Sequence, residues 1–344
     1  MSQRVLIVDD SPFIRRILSD WLKEQPDFEV VGTAANGSIG VQMALDLKPD
    51  LITMDVEMPV CDGLSALQQI MAKRPTPILM VSSVTSSGAE QTLKALELGA
   101  VDFVTKPNGG SSIRFLEAKD ELLAKLRGLR GAKLTSKSGT LRKVKSFAAA
   151  GSDKIVLIAS STGGPKALAT LFESFPEKFP APIVMVQHMP VGFTASLANR
   201  LTHISGIPVR EAKAGDQIVP SEALMAPAGH HLSFDSSGRV VLEDTPLVHG
   251  VRPAADIMFT SAAEVFGSRC IGVVLTGMGR DGATGAFDIH NAGGVVFGED
   301  ESTCVVYGMP KAAKDAGGIV AEFPIEDMAR AISGALTTGA RRVS

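Results

Sequence analysis

Short runs of β-branched and aliphatic residues alternate along this chain with stretches whose apolar positions recur every three or four residues. In the first third, the runs Arg4–Val8, Glu29–Ala34, Leu51–Met54, Ile78–Val81 and Asp102–Val104 predict strands. Between and after them, Pro12–Lys23, Ser38–Leu47, Leu64–Met71, Ala89–Leu98 and Ile113–Leu126 carry the helical period. Strict strand–helix alternation predicts a doubly wound parallel α/β sheet. Such a sheet gathers its ligands beyond the carboxyl ends of its strands.

The pattern starts again after residue 151. Strands are predicted at Ile155–Ala159, Ile183–Gln187, Ile271–Leu275 and Val295–Phe297. Helices are predicted at Lys166–Ser174, Thr194–Leu201, Ile257–Phe266, Ala283–Ala292 and Glu326–Leu336. Shorter strand-like runs, Leu224–Met225, His231–Phe234 and Val240–Glu243, surround the turn signal Asp235-Ser-Ser-Gly. The expectation is a second doubly wound α/β domain with an antiparallel hairpin excursion. The domains are expected at 1–122 and 152–344, with a linker at 123–151. No internal repeat is visible.

Composition narrows the class. Apolar residues make up 45% of the 344 and charged residues 21%, ordinary for a globular protein. The apolar runs stop well short of the ~18–20 residues that a membrane span needs. Asp9 and Asp10 interrupt any N-terminal targeting segment. Cys61, Cys270 and Cys304 are too scattered for a disulfide framework or a zinc knuckle. A reducing, cytoplasmic setting without membrane insertion is expected. The net charge of −3 is unevenly placed: −5 over residues 1–126, +7 over 127–150 and −5 over 151–344. The basic stretch lacks apolar periodicity and reads as a solvated, flexible tether rather than a nucleic-acid tail.

The first domain places Asp9 and Asp10 at the end of its first strand and Asp55 at the end of its third. Ser82 ends the fourth, and Lys106 follows the fifth. Two like charges ~4 Å apart repel by about 4 kcal/mol at an effective dielectric of 20. Three clustered carboxylates therefore call for a cation, and hard oxygen ligands favour Mg²⁺. A carboxylate beside such an ion can attack phosphorus. Lys106 and Ser82 can then hold the phosphoryl oxygens. Asp50 and Asp62 read as caps or surface charges. VLIVDDSPFIRR, LITMDVEMPVCDGL, MVSS and DFVTKP together make residues 1–122 resemble the receiver domain of bacterial response regulators. The resemblance implies Asp55 as phosphoacceptor, phosphorylated by a histidine kinase. It implies Mg²⁺ held by Asp10, Asp55 and the backbone carbonyl of Glu57, supported by Asp9. Ser82 would be the switch hydroxyl and Phe103 the switch aromatic.

In the second domain a strand runs into Ser160-Ser161-Thr162-Gly163-Gly164-Pro165 and then a helix. A serine there is exposed, and the helix N-terminus offers unpaired N–H groups to an oxyanion. The N–H of Thr162 is the expected first donor. His188 follows the next strand, and Asp281 lies just beyond a third, within TGMGRDGATG. An imidazole suits the task of general base, and a carboxylate fixes its tautomer. His203 and His290 read as helix surface or packing residues, His249 as a loop residue of open role, and His230-His231 as lacking a zinc-like partner pair.

Two rival functions are weighed. Gly277-Met-Gly279-Arg-Asp-Gly282, with Glu299 and Asp300 some 17–18 residues on, nearly matches the dinucleotide fingerprint of a dehydrogenase. Against it, Asp281 would set a carboxylate against the pyrophosphate. A DNA-binding output lacks both basic charge and a helix-turn-helix pattern.

IASSTGGPKAL, VMVQHMP, APAGHH, HGVRPAADIMF and LTGMGRDGATG make residues 152–340 resemble the chemotaxis protein-glutamate methylesterases, the CheB family. That resemblance implies Ser161 as nucleophile, His188 as base and Asp281 as orienting acid. It implies the backbone N–H of Met278 as a second oxyanion donor, with no metal at this site. The implied reaction is demethylation of glutamate γ-methyl esters, and deamidation of glutamines, on chemoreceptors during sensory adaptation. It further implies that the unphosphorylated receiver covers the esterase crevice. One departure stands out: Ala159-Ser160 replaces the family's usual Gly-Ala and puts a second serine beside the nucleophile.

Overall fold

The structure is a computed structural model that describes residues 2–83, 85–106, 112–130 and 152–337. The chain divides into two units, Met1–Leu134 and Thr135–Ser344. Most of the expected linker, residues 131–151, lies outside the described residues, as does Pro107 of the DFVTKP motif. No helix among the described residues is long and apolar enough to cross a membrane.

The first unit runs β1 (Gln3–Val8), α1 (Pro12–Lys23), β2 (Phe28–Ala34), α2 (Gly37–Leu47), β3 (Leu51–Asp55), α3 (Gly63–Lys73), β4 (Ile78–Ser82), α4 (Ser86–Glu97), β5 (Asp102–Thr105) and α5 (Ser112–Gly128). Its sheet is parallel, in the order β2-β1-β3-β4-β5. Strands β3 and β4 are buried throughout, as their unbroken apolar runs require. Helix starts follow local chemistry. The side chains of Ser11, Asn36, Asp62 and Thr85 each accept a backbone N–H from the first turn that they cap. Asp62 is thus a cap, and Asp50 accepts the backbone N–H of Arg4. Chain direction across the sheet reverses between β1 and β3, which sets the ends carrying Asp9, Asp10 and Asp55 at the switch point. Helix α5 covers the helical period predicted at Ile113–Leu126 and runs on to Gly128.

The second unit runs β6 (Ile155–Ser160), α6 (Gly164–Ser174), β7 (Ile183–Gln187), α7 (Phe193–Ser205), β8 (Val209–Glu211), β9 (Ala223–Met225), β10 (His231–Phe234), β11 (Val240–Glu243), α8 (Ala255–Phe266), β12 (Cys270–Val274), α9 (Ala283–Asn291), β13 (Val295–Glu299), α10 (Met309–Asp315), β14 (Ala321–Phe323) and α11 (Ile325–Thr337). Seven strands form one parallel sheet, β14-β13-β12-β6-β7-β9-β8, while β10 and β11 pair antiparallel apart from it. The central strands β6, β7 and β12 are buried along their whole length. Their side chains pack with Met258, Phe259 and Ala262 of α8 and Ala286 and Ile289 of α9. Here the switch point falls between β6 and β12, the strands that lead to Ser161 and Asp281.

The short strand expected at Leu224–Met225 forms, and it lies outside the β10–β11 hairpin. As part of β9 it pairs with β7 in the main sheet, because all three of its residues are apolar and none needs a solvent face. Strands β8 and β14 and helix α10 were not expected. Elements of three and seven residues are too short to display a period.

Candidate active site

Strand β6 ends at Ser160, which lies beside Gln187 of β7 in the parallel register. The Ser160 hydroxyl is fully buried and donates to Gln187 Oε1 at 2.7 Å. Gln187 Nε2 in turn donates to the carbonyls of Ser161 and His188, each at 3.0 Å. The His188 N–H donates to the Ser160 carbonyl at 3.1 Å. One buried amide therefore locks both strand ends together and occupies Ser160. Ser161 is partly exposed, and its hydroxyl makes no hydrogen bond among the described residues.

The turn after Ser161 is tight. Gly163 has φ +79°, and a Cβ there would meet the Val305 side chain at 2.7 Å. The Ser161 N–H donates to the Thr276 carbonyl at 3.1 Å. The loop after β12 presses against the same turn, since a Cβ on Gly277 would come 2.9 Å from Ser161 Cβ. Within that loop the N–H of Met278 has no hydrogen-bond partner among the described residues.

His188 Nε2 lies 2.8 Å from Asp281 Oδ2. Asp281 is 2% exposed and accepts three backbone N–H groups besides: Ala255 (2.6 Å), Asp256 (3.0 Å) and Gly282 (3.0 Å). Ala255 and Asp256 open α8, so the carboxylate sits on a helix N-terminus, where its charge is favoured. Burial alone would push this carboxyl up. The His188 hydrogen bond and charge, then the Asp256 and Ala255 amides, outweigh burial and hold it below its ordinary value. An ionised Asp281 accepts a hydrogen bond from Nε2–H, and that tautomer leaves the lone pair of the neutral ring on Nδ1.

A second histidine–carboxylate pair adjoins the first. His249 Nε2 lies 2.8 Å from Asp256 Oδ2, and Asp256 Oδ1 accepts the Gly285 N–H at 2.8 Å. His249, Asp256 and Asp281 bring ligand atoms within 4.8 Å of one another. Each of those carboxylate oxygens has at least one nitrogen within hydrogen-bond distance. Three of the other four histidines are held by hydrogen bonds. His231 is buried between Ala254 N and the Pro246 carbonyl, His230 pairs with Asp244, and His203 bonds the Asn199 carbonyl on α7. The dinucleotide reading fails on geometry. The Asp281 carboxylate accepts the N–H of Gly282, the cap of α9, where the fingerprint would seat a pyrophosphate, and Glu299 is buried, accepting Thr276 N and the Thr303 hydroxyl.

Reasoning from sequence missed Gln187, Thr276 and Asp256. Gln187 had a readable signal, a polar residue closing an otherwise apolar strand. The other two act through backbone partners that only the fold brings near.

In the first unit Lys106 Nζ lies 2.6 Å from Asp55 Oδ2 and 3.1 Å from Asp9 Oδ2. The carboxylates of Asp9, Asp10 and Asp55 come within 4.8 Å of one another. Asp9 Oδ1 accepts the Ser11 N–H, while the buried Oδ2 has no hydrogen-bond donor in good geometry. Three carboxylates with Lys106 between two of them, and an Asp9 Oδ2 short of a well-aligned donor, fit a divalent cation. Burial, aided by the Asp9 charge and opposed by Lys106, pushes the Asp55 carboxyl up to about 6. The Glu57 N–H donates to Asp55 Oδ1 at 3.3 Å, which sets Glu57 beside the cluster. Ser82 ends β4 at the same edge, but its hydroxyl turns toward α4: it accepts from Thr92 Oγ1 at 2.8 Å and lies 3.4 Å from the Gly88 carbonyl. Phe103 is 1% exposed, with Lys125 Nζ 5.3 Å from its ring centroid.

Comparison with known proteins agrees with this two-unit arrangement. The family model described as CheB methylesterase matches residues 156–332, and that of the response regulator receiver domain matches residues 5–115. A protein-glutamate methylesterase/protein-glutamine glutaminase of Symbiobacterium thermophilum is 46% identical over 98% of each chain. One from Thermotoga maritima is 47% identical over 91% of this chain and 93% of that one. The crystal structure of the Thermotoga maritima CheB methylesterase catalytic domain superposes with a TM-score of 0.51 at 43% identity, covering 54% of this chain and 99% of that one. The chain therefore belongs to the CheB methylesterase family and carries a response regulator receiver domain ahead of its esterase domain.

Proposed function

We propose that the second unit hydrolyses glutamate γ-methyl esters on chemoreceptors, and deamidates glutamines there, with Ser161, His188 and Asp281 as its catalytic residues. The observation that carries this reading is the 2.8 Å contact between His188 and a buried, amide-held Asp281, at the sheet edge where Ser161 alone of the two serines keeps a free hydroxyl. His188 Nδ1 takes the Ser161 proton as Oγ attacks the ester carbonyl. The N–H groups of Thr162 and Met278 receive the developing oxyanion. The imidazolium returns its proton to the departing methoxide, and methanol leaves. Water, deprotonated by His188, then attacks the acyl-serine and frees the glutamate carboxylate and Ser161. With glutamine the departing group is ammonia. A backbone-amide oxyanion hole and a histidine base supply what this chemistry needs without a metal.

Asp55 is the phosphoacceptor of the first unit, and a histidine kinase is the donor. Asp9, Asp10, Asp55 and the Glu57 carbonyl would hold Mg²⁺, which would offset the charge of an incoming phosphoryl group. Lys106 would hold a phosphoryl oxygen. Ser82 and Phe103 would read the modified state out to the surface.

The test is methanol release from methylated receptor membranes. Ser161→Ala is expected to lower kcat by at least about a thousandfold, and Asp281→Asn by a comparable factor, by setting the wrong histidine tautomer. Parent-like rates for Ser161→Ala would overturn the assignment.

A further inference from the structure

Two backbone amides form the oxyanion site in the reading above, on which this inference rests: Thr162 in the turn after β6, and Met278 in the loop after β12. These segments are far apart in sequence, and an oxyanion hole works only if its donors are held before the charge develops. One residue touches both. Thr276 accepts the Ser161 N–H on its carbonyl at 3.1 Å and donates its hydroxyl to the Thr162 carbonyl at 3.0 Å. The same hydroxyl accepts the Val306 N–H at 3.0 Å, and Gly277 N donates to the Val306 carbonyl at 3.1 Å. Thr276 is thereby bonded to the nucleophile turn on one side and, through Val306, to the start of the Met278 loop on the other.

Thr276 is itself held by a carboxyl the mechanism does not use. Glu299, at the end of β13, is 1% exposed. Its Oε2 accepts the Thr276 N–H at 2.8 Å, and its Oε1 accepts the Thr303 hydroxyl at 3.0 Å. Thr303 Oγ1 also accepts the Ile325 N–H, which anchors this side of the knot to α11. A carboxyl so deeply buried is costly, and an apolar side chain would pack here more cheaply unless the hydrogen bonds were needed. We propose that Glu299 is a positioning residue of the esterase: through Thr276 it holds the Thr162 and Met278 amides in the spacing that the tetrahedral intermediate requires.

An interaction that acts only on the oxyanion lowers kcat when lost and leaves KM alone. The full-length chain is assayed for methanol release from a peptide carrying a glutamate γ-methyl ester. The variants are Glu299→Leu, Glu299→Gln, Thr276→Val, Thr276→Ser and Ser161→Ala. Glu299→Leu and Thr276→Val are expected to lose about ten- to a hundredfold in kcat, with KM within twofold of the parent. Glu299→Gln keeps an acceptor for Thr276 N and a polar partner for Thr303, and Thr276→Ser keeps the hydroxyl. Both are expected to recover at least a third of the parent kcat. Should Glu299→Leu fail to fold, the Thr276 pair decides. A kcat within twofold of the parent in Thr276→Val, a loss carried by KM, or no recovery in the conservative variants would overturn the proposal. If Ser161→Ala stays active, the nucleophile assignment fails first and this inference falls with it. If Ser161→Ala is dead while Glu299→Leu and Thr276→Val match the parent, only the role of Glu299 falls.

Discussion

Ser160 and Ser161 are chemically identical neighbours, and their surroundings separate them. Ser160→Ala removes a hydroxyl whose described partner is Gln187 and leaves one buried amide oxygen short of a donor. A cost of about 1–2 kcal/mol is expected, read as a lowered denaturation midpoint, with methanol release still within a fewfold of the parent. A loss as deep as that of Ser161→Ala would move the nucleophile to Ser160. Sequence offered both serines, and only the Thr-Gly-Gly that follows Ser161 ranked them. Burial and the Gln187 bond give a physical reason for that ranking. His188 and Asp281 were legible because each follows an apolar strand, where side chains of an α/β sheet converge. Asp256 was not legible, because a lone acid in a helix's first turn carries the signature of an ordinary cap.

At the level of elements, strand ends do the assembling. The long buried strands β1, β3, β4, β6, β7 and β12 were readable from unbroken apolar runs, whereas β8 and β14 are too short to leave a pattern. Strand β13 ran two residues further than expected, to Glu299, since a buried carboxyl breaks the apolar run that marks a strand. Burial leads in pushing this carboxyl from its ordinary 4.5 up to about 7. The Glu326 and Asp300 charges add to the shift, and the Thr276 N–H and Thr303 hydroxyl oppose it. Folded protein therefore keeps a proton that unfolded chain releases above pH 4.5. The stabilisation linked to that proton is complete below pH 4.5 and is lost as pH rises to about 7, by roughly 3 kcal/mol at most. Urea midpoints of Glu299→Gln measured from pH 5 to 7.5 are expected to lack this downward slope. A slope equal to the parent's would show that another group titrates.

For the whole molecule, the prediction joins the two chemistries on one chain. A small phosphodonor with Mg²⁺ is expected to raise methanol release by the full-length protein, and Asp55→Asn is expected to abolish that response. A parent enzyme indifferent to the phosphodonor would leave the esterase standing and remove the regulatory role of Asp55. The two-unit division was legible from charge and composition, although α5 reaches further toward the basic stretch than its apolar pattern implied. The strand order of the second unit bears on how the enzyme is made. β6, its first strand, ends at the centre of the finished sheet, and β7, β9 and β8 complete one flank. The opposite flank begins only at β12, more than a hundred residues later. On a ribosome that adds residues from the N-terminus, Ser161 and His188 emerge and can dock long before Asp281 is translated. On the assignment proposed above, a nascent chain passes through a stage that holds its nucleophile and base without their acid, and hydrolytic competence would arrive only with the last third of the message.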